Sequence, residues 1–173
     1  MSKLILLLAS FFLGAIPFGY LVAKFIKDID IRKFGSGNIG ATNVFRIVGK
    51  KWGIIVFILD FLKGFATPFI AYLIGEFNSY FYIILGVSSI AGHNWTPFLK
   101  FKGGKGVATS LGVLFALCFS FPALKMVIPL SLASWIIIFL FFRIVSLASI
   151  IAAFIFTLLS LFLSGSYALK IMA

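Results

Sequence analysis

Long apolar runs alternate with short polar or glycine-rich segments along almost the whole chain. A helix that crosses a bilayer needs about 20 mostly apolar residues. The pattern therefore predicts six membrane-spanning helices, and the apolar residues after Gly165 predict the start of a seventh. The six predicted spans are Leu4–Ala23, Gly53–Gly75, Tyr80–Leu99, Val107–Phe121, Ala123–Phe142 and Val145–Ser164.

Composition supports a membrane protein. Hydrophobic residues make up 62% of the chain and charged residues 11%, whereas a soluble domain has roughly 45–50% and about 25%. We therefore predict an all-α, polytopic membrane helical bundle that forms a single domain over residues 1–173. A lone cysteine, Cys118, cannot form an intrachain disulfide, and one histidine with four acidic residues offers few ligands for a metal. We expect no metal and no cofactor.

The basic residues lie mainly in alternate loops between the predicted spans, which assigns them to one side of the membrane. The positive-inside rule places that side in the cytoplasm and the N-terminus outside, in a multi-pass membrane protein. The net charge of +11 does not indicate nucleic-acid binding, because no soluble basic face is formed. The predicted cytoplasmic residues are Lys24, Lys27, Arg32, Lys33, Arg46, Lys50, Lys51, Lys100, Lys102, Lys105 and Arg143, and Lys3, Lys125, Lys170 and Glu76 fall on the opposite side.

The first cytoplasmic loop contains GSGNIGATNVFR, Gly35–Arg46, whose first six residues fit the G-x-G-x-x-G pattern of phosphate-binding turns. Without a neighbouring β-strand the match is weak. The physical basis of anion binding by such a turn still applies, because glycines bring the backbone close to a ligand and successive N–H groups can hold an anion. Arg46 adds a planar guanidinium suited to phosphate. The alternative is a flexible polar linker. Short hydrogen-bonding side chains come from Ser36, Asn38, Thr42 and Asn43.

The second cytoplasmic loop carries the residues KGGKG, 102–106, and the fourth predicted span follows at Val107. Glycines and a lysine before a helix N-terminus favour an anion, because the helix dipole is positive there. The segment resembles part of a nucleotide-binding P-loop without matching its full pattern. The alternative is a basic turn that only obeys the positive-inside rule. We favour a phosphate site, because such turns rarely need so many glycines.

Other polar residues lie near the predicted cytoplasmic ends of the spans. Ser146 and Ser149 are one helical turn apart, so both can face one cleft or, alternatively, a helix-packing surface. His93 is the only histidine. A lone histidine is usually structural; the alternative is that it lines the site, and a role as general base is the less favoured one.

Asp60 and Lys63 lie inside the second predicted span, where a charge costs roughly 2.5–3.5 kcal/mol on insertion scales. Their spacing lets them pair, and we favour a structural ion pair over a role for Asp60 in orienting Arg46 or a lysine of the site. The glycine-rich and hydroxyl-rich motifs of the loops contain no carboxylate pair, no Ser–His–acid set in an elbow motif and no cysteine nucleophile with a basic partner. The anion ligands and hydroxyls that remain suit a reaction whose leaving group is already activated and anionic.

Four segments resemble the bacterial acyl-phosphate:glycerol-3-phosphate acyltransferases, the PlsY family. They are GSGNIGATNVFR, GKKWGIIVFILDFLKG, GHNWTPFLKFKGGKGVATSLG and RIVSLAS, and their order and spacing agree with the family from the first helix to the sixth. The resemblance implies transfer of an acyl chain from acyl phosphate, not from acyl-CoA or acyl carrier protein, to the 1-hydroxyl of glycerol 3-phosphate. The implied products are lysophosphatidate and inorganic phosphate. A functional link with an enzyme that forms acyl phosphate follows.

The resemblance also implies the fold and the roles of single residues. The fold is a seven-helix bundle in the lipid bilayer with its N-terminus outside, which agrees with the orientation above. The implied catalytic residues are Ser36, Arg46, Lys105 and Ser149. The substrate-binding candidates are Gly35, Gly37, Asn38, Thr42, Asn43, His93, Gly103, Gly104, Gly106 and Ser146.

The family continues past its seventh helix into a tail with a histidine and an asparagine that help to bind glycerol 3-phosphate, and a glutamate with a structural role. Because the sequence ends at Ala173, before such residues, we expect a C-terminal truncation.

Two other functions fit anion-binding loops: a small membrane transporter or flippase for a phosphorylated solute, and a non-catalytic membrane subunit. Transporters commonly show repeats and helices broken at the midplane, whereas polar motifs on one face favour an interfacial enzyme.

Overall fold

The computed structural model describes residues 3–75 and 78–164. Within these residues the chain is helical, as predicted, and it forms two compact units, the first up to residue 116 and the second from residue 117. The predicted start of a seventh span lies outside the described residues, and the single-domain organisation stays a prediction. The helices are α1 Lys3–Ala15, α2 Phe18–Lys27, α3 Ala41–Ile47, α4 Lys50–Ile74, α5 Ser79–Asn94, α6 Val107–Leu117, α7 Leu124–Phe142 and α8 Val145–Ser164.

Several helices have the length and composition of membrane spans. In the described residues, Lys3–Lys27, Lys50–Ile74, Leu124–Phe142 and Val145–Phe162 are long and apolar enough to cross a bilayer. α5 and α6 are shorter, with 16 and 11 residues, and both end earlier than predicted. α5 ends at Asn94 because Thr96 and Pro97 follow: the residue before a proline favours an extended conformation, and a 3-10 turn begins at Pro97.

The first predicted span contains a break that the sequence analysis did not predict. α1 ends at Ala15 and α2 begins at Phe18, because Pro17 has no N–H and disfavours the helical conformation of Ile16. The carbonyl of Ile16 accepts a hydrogen bond of 2.7 Å from Lys63 Nζ. A backbone group freed by the break is thereby satisfied, as the interior of a membrane protein requires.

Small residues let the helices of the first unit pack with their backbones in contact. A β-carbon on Gly14 of α1 would strike the carbonyl of Ser89 on α5, and one on Gly64 of α4 would strike that of Thr109 on α6. Membrane helices associate in this way because lipid supplies no hydrophobic force between them.

A hydrophobic core lies under the first glycine-rich loop. α3 occupies a stretch that the sequence analysis treated as a continuous loop, and it turns Val44 into this core. Leu99, from the segment that leads into the second loop, joins the same core, so the two loops share a base. The buried members are Ala23, Ile31, Ile39, Val44, Val48, Val56 and Leu99.

The second unit contains a helical hairpin. α7 and α8 pack against each other and are connected through Arg143 and Ile144. Arg143 adopts a left-handed conformation, with a φ of +57°, and its N–H caps α7 by donating to the carbonyl of Phe139 at 2.8 Å. This turn ends one helix and lets the next begin within two residues.

Candidate active site

A cavity of about 400 Å³ lies between the first and second glycine-rich loops. Gly37 and Ile39 line it from the first loop, and Lys102 and Gly103 line it from the second. The structure thus brings together the two loops in which the sequence predicted phosphate binding. The remaining lining residues are Asp30, Arg32 and Lys33.

The cavity wall carries a net positive charge. Arg32 and Asp30 compensate each other, because Nε and Nη2 of the guanidinium donate to the carboxylate at 2.9 and 2.7 Å. The hydrogen bonds from Arg32 lower the pKa of Asp30 to about 2, so the carboxylate is ionised at neutral pH. The excess positive charge therefore comes from Lys33 and Lys102, which are exposed. Such a wall attracts phosphate.

Asn43 holds the first loop together from inside. Its side chain is buried, and its amide group donates to the carbonyls of Phe34 at 3.0 Å and Asn38 at 2.9 Å. Its Oδ1 accepts the N–H of Ser36 at 3.1 Å. Gly35 is required beside it, because its φ is +61° and a β-carbon there would meet the same Oδ1. Asn43 gives the loop its shape, and its direct contact with substrate stays a prediction.

Several backbone amides of the loops point inward, and the predicted anion nest stays a prediction. The N–H groups of Ser36, Gly37 and Gly40 each donate to an acceptor within the first loop. In the second loop, the N–H groups of Gly103 and Gly104 donate to the last carbonyls of α5, both at 3.1 Å. These five amides donate to acceptors within the protein.

The glycines of the second loop are required by close packing against the end of α5. A β-carbon on Gly103 would strike the carbonyl of His93, and one on Gly104 would strike the imidazole ring. Gly106 has a φ of +72° and lies against Oδ1 of Asn94. His93 is 4% exposed and lies beneath Gly104. Its direct contact with substrate stays a prediction.

Each loop presents a predicted catalytic cation to solvent. Thr42 and Arg46 are both exposed and one turn apart on α3, so they share its outer face. Lys105 is exposed just before α6 begins at Val107, where the helix dipole favours an anion. Ser36 is exposed at the tip of the first loop, between two glycines with positive φ.

Aromatic side chains stand out from the segment between α5 and the second loop. Trp95, Phe98 and Phe101 are 59%, 59% and 64% exposed. Aromatic rings next to lysines, here Lys100 and Lys102, are typical of the membrane–water interface.

Comparison with known proteins identifies the family. The sequence profile of the family described as glycerol-3-phosphate acyltransferase matches residues 4–173. A glycerol-3-phosphate acyltransferase of Aquifex aeolicus is 46% identical over 168 residues, which cover 95% of this chain and 82% of the relative. One of Endomicrobium trichonymphae is 46% identical over 164 residues, which cover 95% and 79%. The chain belongs to the glycerol-3-phosphate acyltransferase family.

Solved structures agree with the assignment to these acyltransferases. Two crystal structures of PlsY (YgiH), described as an integral membrane glycerol 3-phosphate acyltransferase, match with TM-scores of 0.83 and 0.81 at 47% and 46% identity. The first is a glycerol 3-phosphate form and the second a lysophosphatidic acid form, and each match covers 95% of this chain and 78% of PlsY. The predicted family and the helical membrane fold are confirmed, and the findings support an acyltransferase, not the alternative transporter.

Two predicted site residues of this acyltransferase belong to the second unit. Ser149 is half-buried on α8, where its Oγ accepts a hydrogen bond of 3.1 Å from Trp135 Nε1 and donates one of 2.8 Å to the carbonyl of Val145. Ser146 is half-buried one turn earlier on the same helix. The parts of both serines in catalysis stay predictions.

The motifs do not identify every residue that lines the cavity of the acyltransferase. Lys33 and Lys102 were predicted only as basic residues of the cytoplasmic loops. Their positions, two residues before Gly35 and directly before Gly103, could have identified them as cations of the cavity. Asp30 carries no such signal, because a carboxylate is not expected in a phosphate site. It lies there as the partner of Arg32.

Proposed function

We propose that this acyltransferase transfers a fatty acyl chain from acyl phosphate to the 1-hydroxyl of glycerol 3-phosphate, giving lysophosphatidate and inorganic phosphate. The observation that carries the proposal is the cavity shared by the two glycine-rich loops, with Lys33 and Lys102 in its wall. Both substrates carry phosphate, so two anions have to be held side by side. The names of the relatives support the acceptor, and the four sequence motifs support acyl phosphate as the donor.

The chemistry needs little help from a protein base. Acyl phosphate is a mixed anhydride, so its phosphate leaves readily. The hydroxyl oxygen of glycerol 3-phosphate attacks the carbonyl carbon, an ester C–O bond forms, and the C–O bond to phosphate breaks. The hydroxyl proton passes to a phosphate oxygen of the substrate. The enzyme aligns the hydroxyl with the carbonyl and stabilises the negative charge that develops.

The predicted site residues have different proposed roles, which depend on residue type and exposure. Arg46 and Lys105, one exposed cation on each loop, bind the phosphates and stabilise the developing charge. Ser36 supplies a hydroxyl group to the reacting atoms, and the motif RIVSLAS supports Ser149 as a further catalytic residue. The proposed binding residues around them are Gly35, Gly37, Asn38, Thr42, Asn43, His93, Gly103, Gly104, Gly106 and Ser146.

The reaction takes place at the cytoplasmic surface of the cell inner membrane, with the N-terminus of the chain outside. The basic loops and the exposed rings of Trp95, Phe98 and Phe101 support this location, because both features are typical of that interface. The acyl tail stays in the bilayer, and the lysines draw glycerol 3-phosphate from water. An enzyme that activates fatty acyl groups as acyl phosphate supplies the donor.

The test is acyl transfer by the purified protein in detergent. A long-chain acyl phosphate and labelled glycerol 3-phosphate should give labelled lysophosphatidate, with inorganic phosphate released in equal amount. Acyl-CoA of the same chain length is the donor control and should give no product. Transfer from acyl-CoA, or none from acyl phosphate, would contradict the proposal.

The orientation is tested separately by thiol labelling. In a Cys118→Ser background, Lys102→Cys should react with a membrane-impermeant maleimide in inverted vesicles and stay unlabelled in intact cells. Lys125→Cys, predicted on the opposite side, should show the reverse pattern. The same pattern for both positions would refute the proposed orientation.

A further inference from the structure

A buried cluster of charged residues lies beneath the second loop. Asp60 and Lys63 of α4 are 2% and 3% exposed, and Asp60 Oδ1 lies 2.8 Å from Lys63 Nζ. Nδ1 of His93 lies 3.6 Å from the same carboxylate oxygen. The desolvation of a buried ion pair can exceed its Coulombic gain, so such a pair is weak evidence for stability. Charged residues inside a membrane protein are expensive and usually functional.

His93 connects this cluster to the second loop. Its ring fills the space beside Gly104, and its carbonyl accepts the N–H of Gly104 at 3.1 Å. The carbonyl of the next residue, Asn94, accepts the N–H of Gly103. Gly103 lines the cavity and Lys105 follows directly after Gly104. A displacement of the imidazole would therefore displace the loop that carries Lys105.

Lys63 connects the same cluster to the first loop. Its Nζ donates to the carbonyl of Ile16 at the break between α1 and α2, and lies 5.4 Å from the centre of the Phe18 ring, where α2 begins. One residue further along α2, Gly19 is in backbone contact with the carbonyl of Ile39. Ile39 lines the cavity from the first loop.

We propose that Asp60, Lys63 and His93 form a positioning network that sets the spacing of the two loops across the cavity. Asp60 is its centre, because its carboxylate contacts both Lys63, on the side of the first loop, and His93, on the side of the second. The inference rests on the proposed function, since the spacing matters when two phosphates must be aligned for transfer. A misplacement of about 1 Å can lower a rate about 100-fold.

The test is a double-mutant cycle between His93 and Lys105. His93→Phe keeps an aromatic ring under Gly104 but removes the contact with Asp60, and it should lower kcat/KM at least about tenfold. In a Lys105→Ala background the same change should lower kcat/KM less than about threefold, because the loop has already lost the cation that the network positions. Equal losses in the two backgrounds would overturn the proposal.

A second variant separates the two contacts of the histidine. His93→Asn keeps a polar group near Asp60 and removes the part of the ring beneath Gly104. Its effect should also shrink in the Lys105→Ala background, which keeps the proposal testable if His93→Phe does not fold. Additive effects of His93→Asn would contradict the network in the same way.

A matched control distinguishes positioning from general destabilisation. Thr67 is buried one turn beyond Lys63 on α4 and shares a hydrogen bond of 2.7 Å with Ser10 of α1. Thr67→Val removes a buried polar contact that does not lead to a loop, so its effect should be additive with that of Lys105→Ala. All rates refer to folded protein collected by size-exclusion chromatography.

The failure of the proposed function and the failure of the inference can be distinguished. If the unmodified chain makes no lysophosphatidate, the proposed function fails and the inference with it. If the chain is active and the effects of the His93 variants are additive with that of Lys105→Ala, only the inference fails.

Discussion

The imidazole of His93 occupies the space that a side chain on Gly104 would need, and the carbonyl of His93 accepts the N–H of Gly104 at 3.1 Å. The second loop is thus fitted to the end of α5 by one steric and one polar contact. A residue larger than glycine cannot keep both contacts, because the nearest atoms belong to the buried ring of His93.

Gly104→Ala should therefore push the loop away from α5 and lower kcat/KM at least about tenfold, in line with the sensitivity of catalysis to alignment. Steady-state rates of lysophosphatidate formation measure the effect. Gly75→Ala is the control, because Gly75 has a φ of +73° but no atom within 4 Å of a β-carbon. It should lower stability through backbone strain and leave kcat/KM unchanged; an equal loss of activity in both variants would rule out the steric explanation.

Lys105→Ala and Arg46→Ala should each remove about 2–4 kcal/mol of transition-state stabilisation, a loss of about 30- to 1000-fold in kcat/KM. The reason is that each change deletes a cation that we propose to stabilise the developing negative charge. Lys51→Ala is the matched control, since Lys51 is an exposed cation at the start of α4, near α3. It should stay within about twofold of the unmodified enzyme. Normal turnover by folded Lys105→Ala or Arg46→Ala protein would remove these residues from the mechanism.

Asn43→Asp should destabilise the first loop. An aspartate can still accept the N–H of Ser36, but it cannot donate to the carbonyls of Phe34 and Asn38. Losing a hydrogen bond of this kind costs about 0.5–1.5 kcal/mol. Thermal unfolding in detergent should show the loss, and KM for at least one substrate should rise.

Asn38→Asp is the stability control for that experiment. Asn38 uses its Oδ1 to accept the N–H of Gly40 at 2.8 Å, and an aspartate keeps this acceptor. Unfolding of Asn38→Asp should therefore stay close to that of the unmodified protein. A comparable loss in both variants would show that added charge, and not the missing donors, is responsible.

Asp30 should remain ionised in acid. Its pKa is lowered to about 2 by the hydrogen bonds from Arg32, whereas an unfolded aspartate titrates near about 3.9. A lowered pKa contributes stability that is fully present above the unfolded value and is lost as pH falls through about 2. Between neutral pH and about pH 5 the activity profile should therefore contain no step from Asp30.

Carboxylate NMR tests this expectation. At about pH 3, Asp30 should still be ionised in the unmodified protein and largely protonated in Arg32→Gln, in which the unfolded value near about 3.9 applies again. A protonated Asp30 at that pH in the unmodified protein would contradict the pairing with Arg32.

Most of the helices can be predicted from the local sequence. α8 spans Val145–Ser164, as predicted, and α7 begins one residue later than predicted, because apolar runs with clear boundaries determine both. The charge pattern assigns both glycine-rich loops to the same side of the membrane, which predicts that they lie close together. The cavity lined by Gly37 and Gly103 agrees with this prediction.

Other features depend on contacts between distant residues, which local patterns do not contain. α3 is only 7 residues long and polar on its outer face, and it is held by Val44 in the core beneath it. The direction of the loop amides depends on Asn43 and on the end of α5. The burial of His93 likewise follows from the packing of Gly104, so a motif that identifies both residues does not say which one faces the ligand.

The inward direction of the loop amides has a consequence for discrimination between small phosphate esters. Amide groups read the geometry of an anion, whereas a lysine ammonium is a compact point charge that accepts many approach angles. The N–H groups of Ser36, Gly37, Gly103 and Gly104 are engaged by the protein, so these four amides do not select a phosphomonoester by its shape. Fidelity then depends in part on the reaction geometry, because an acceptor is acylated only if its hydroxyl reaches the carbonyl of a donor anchored in lipid.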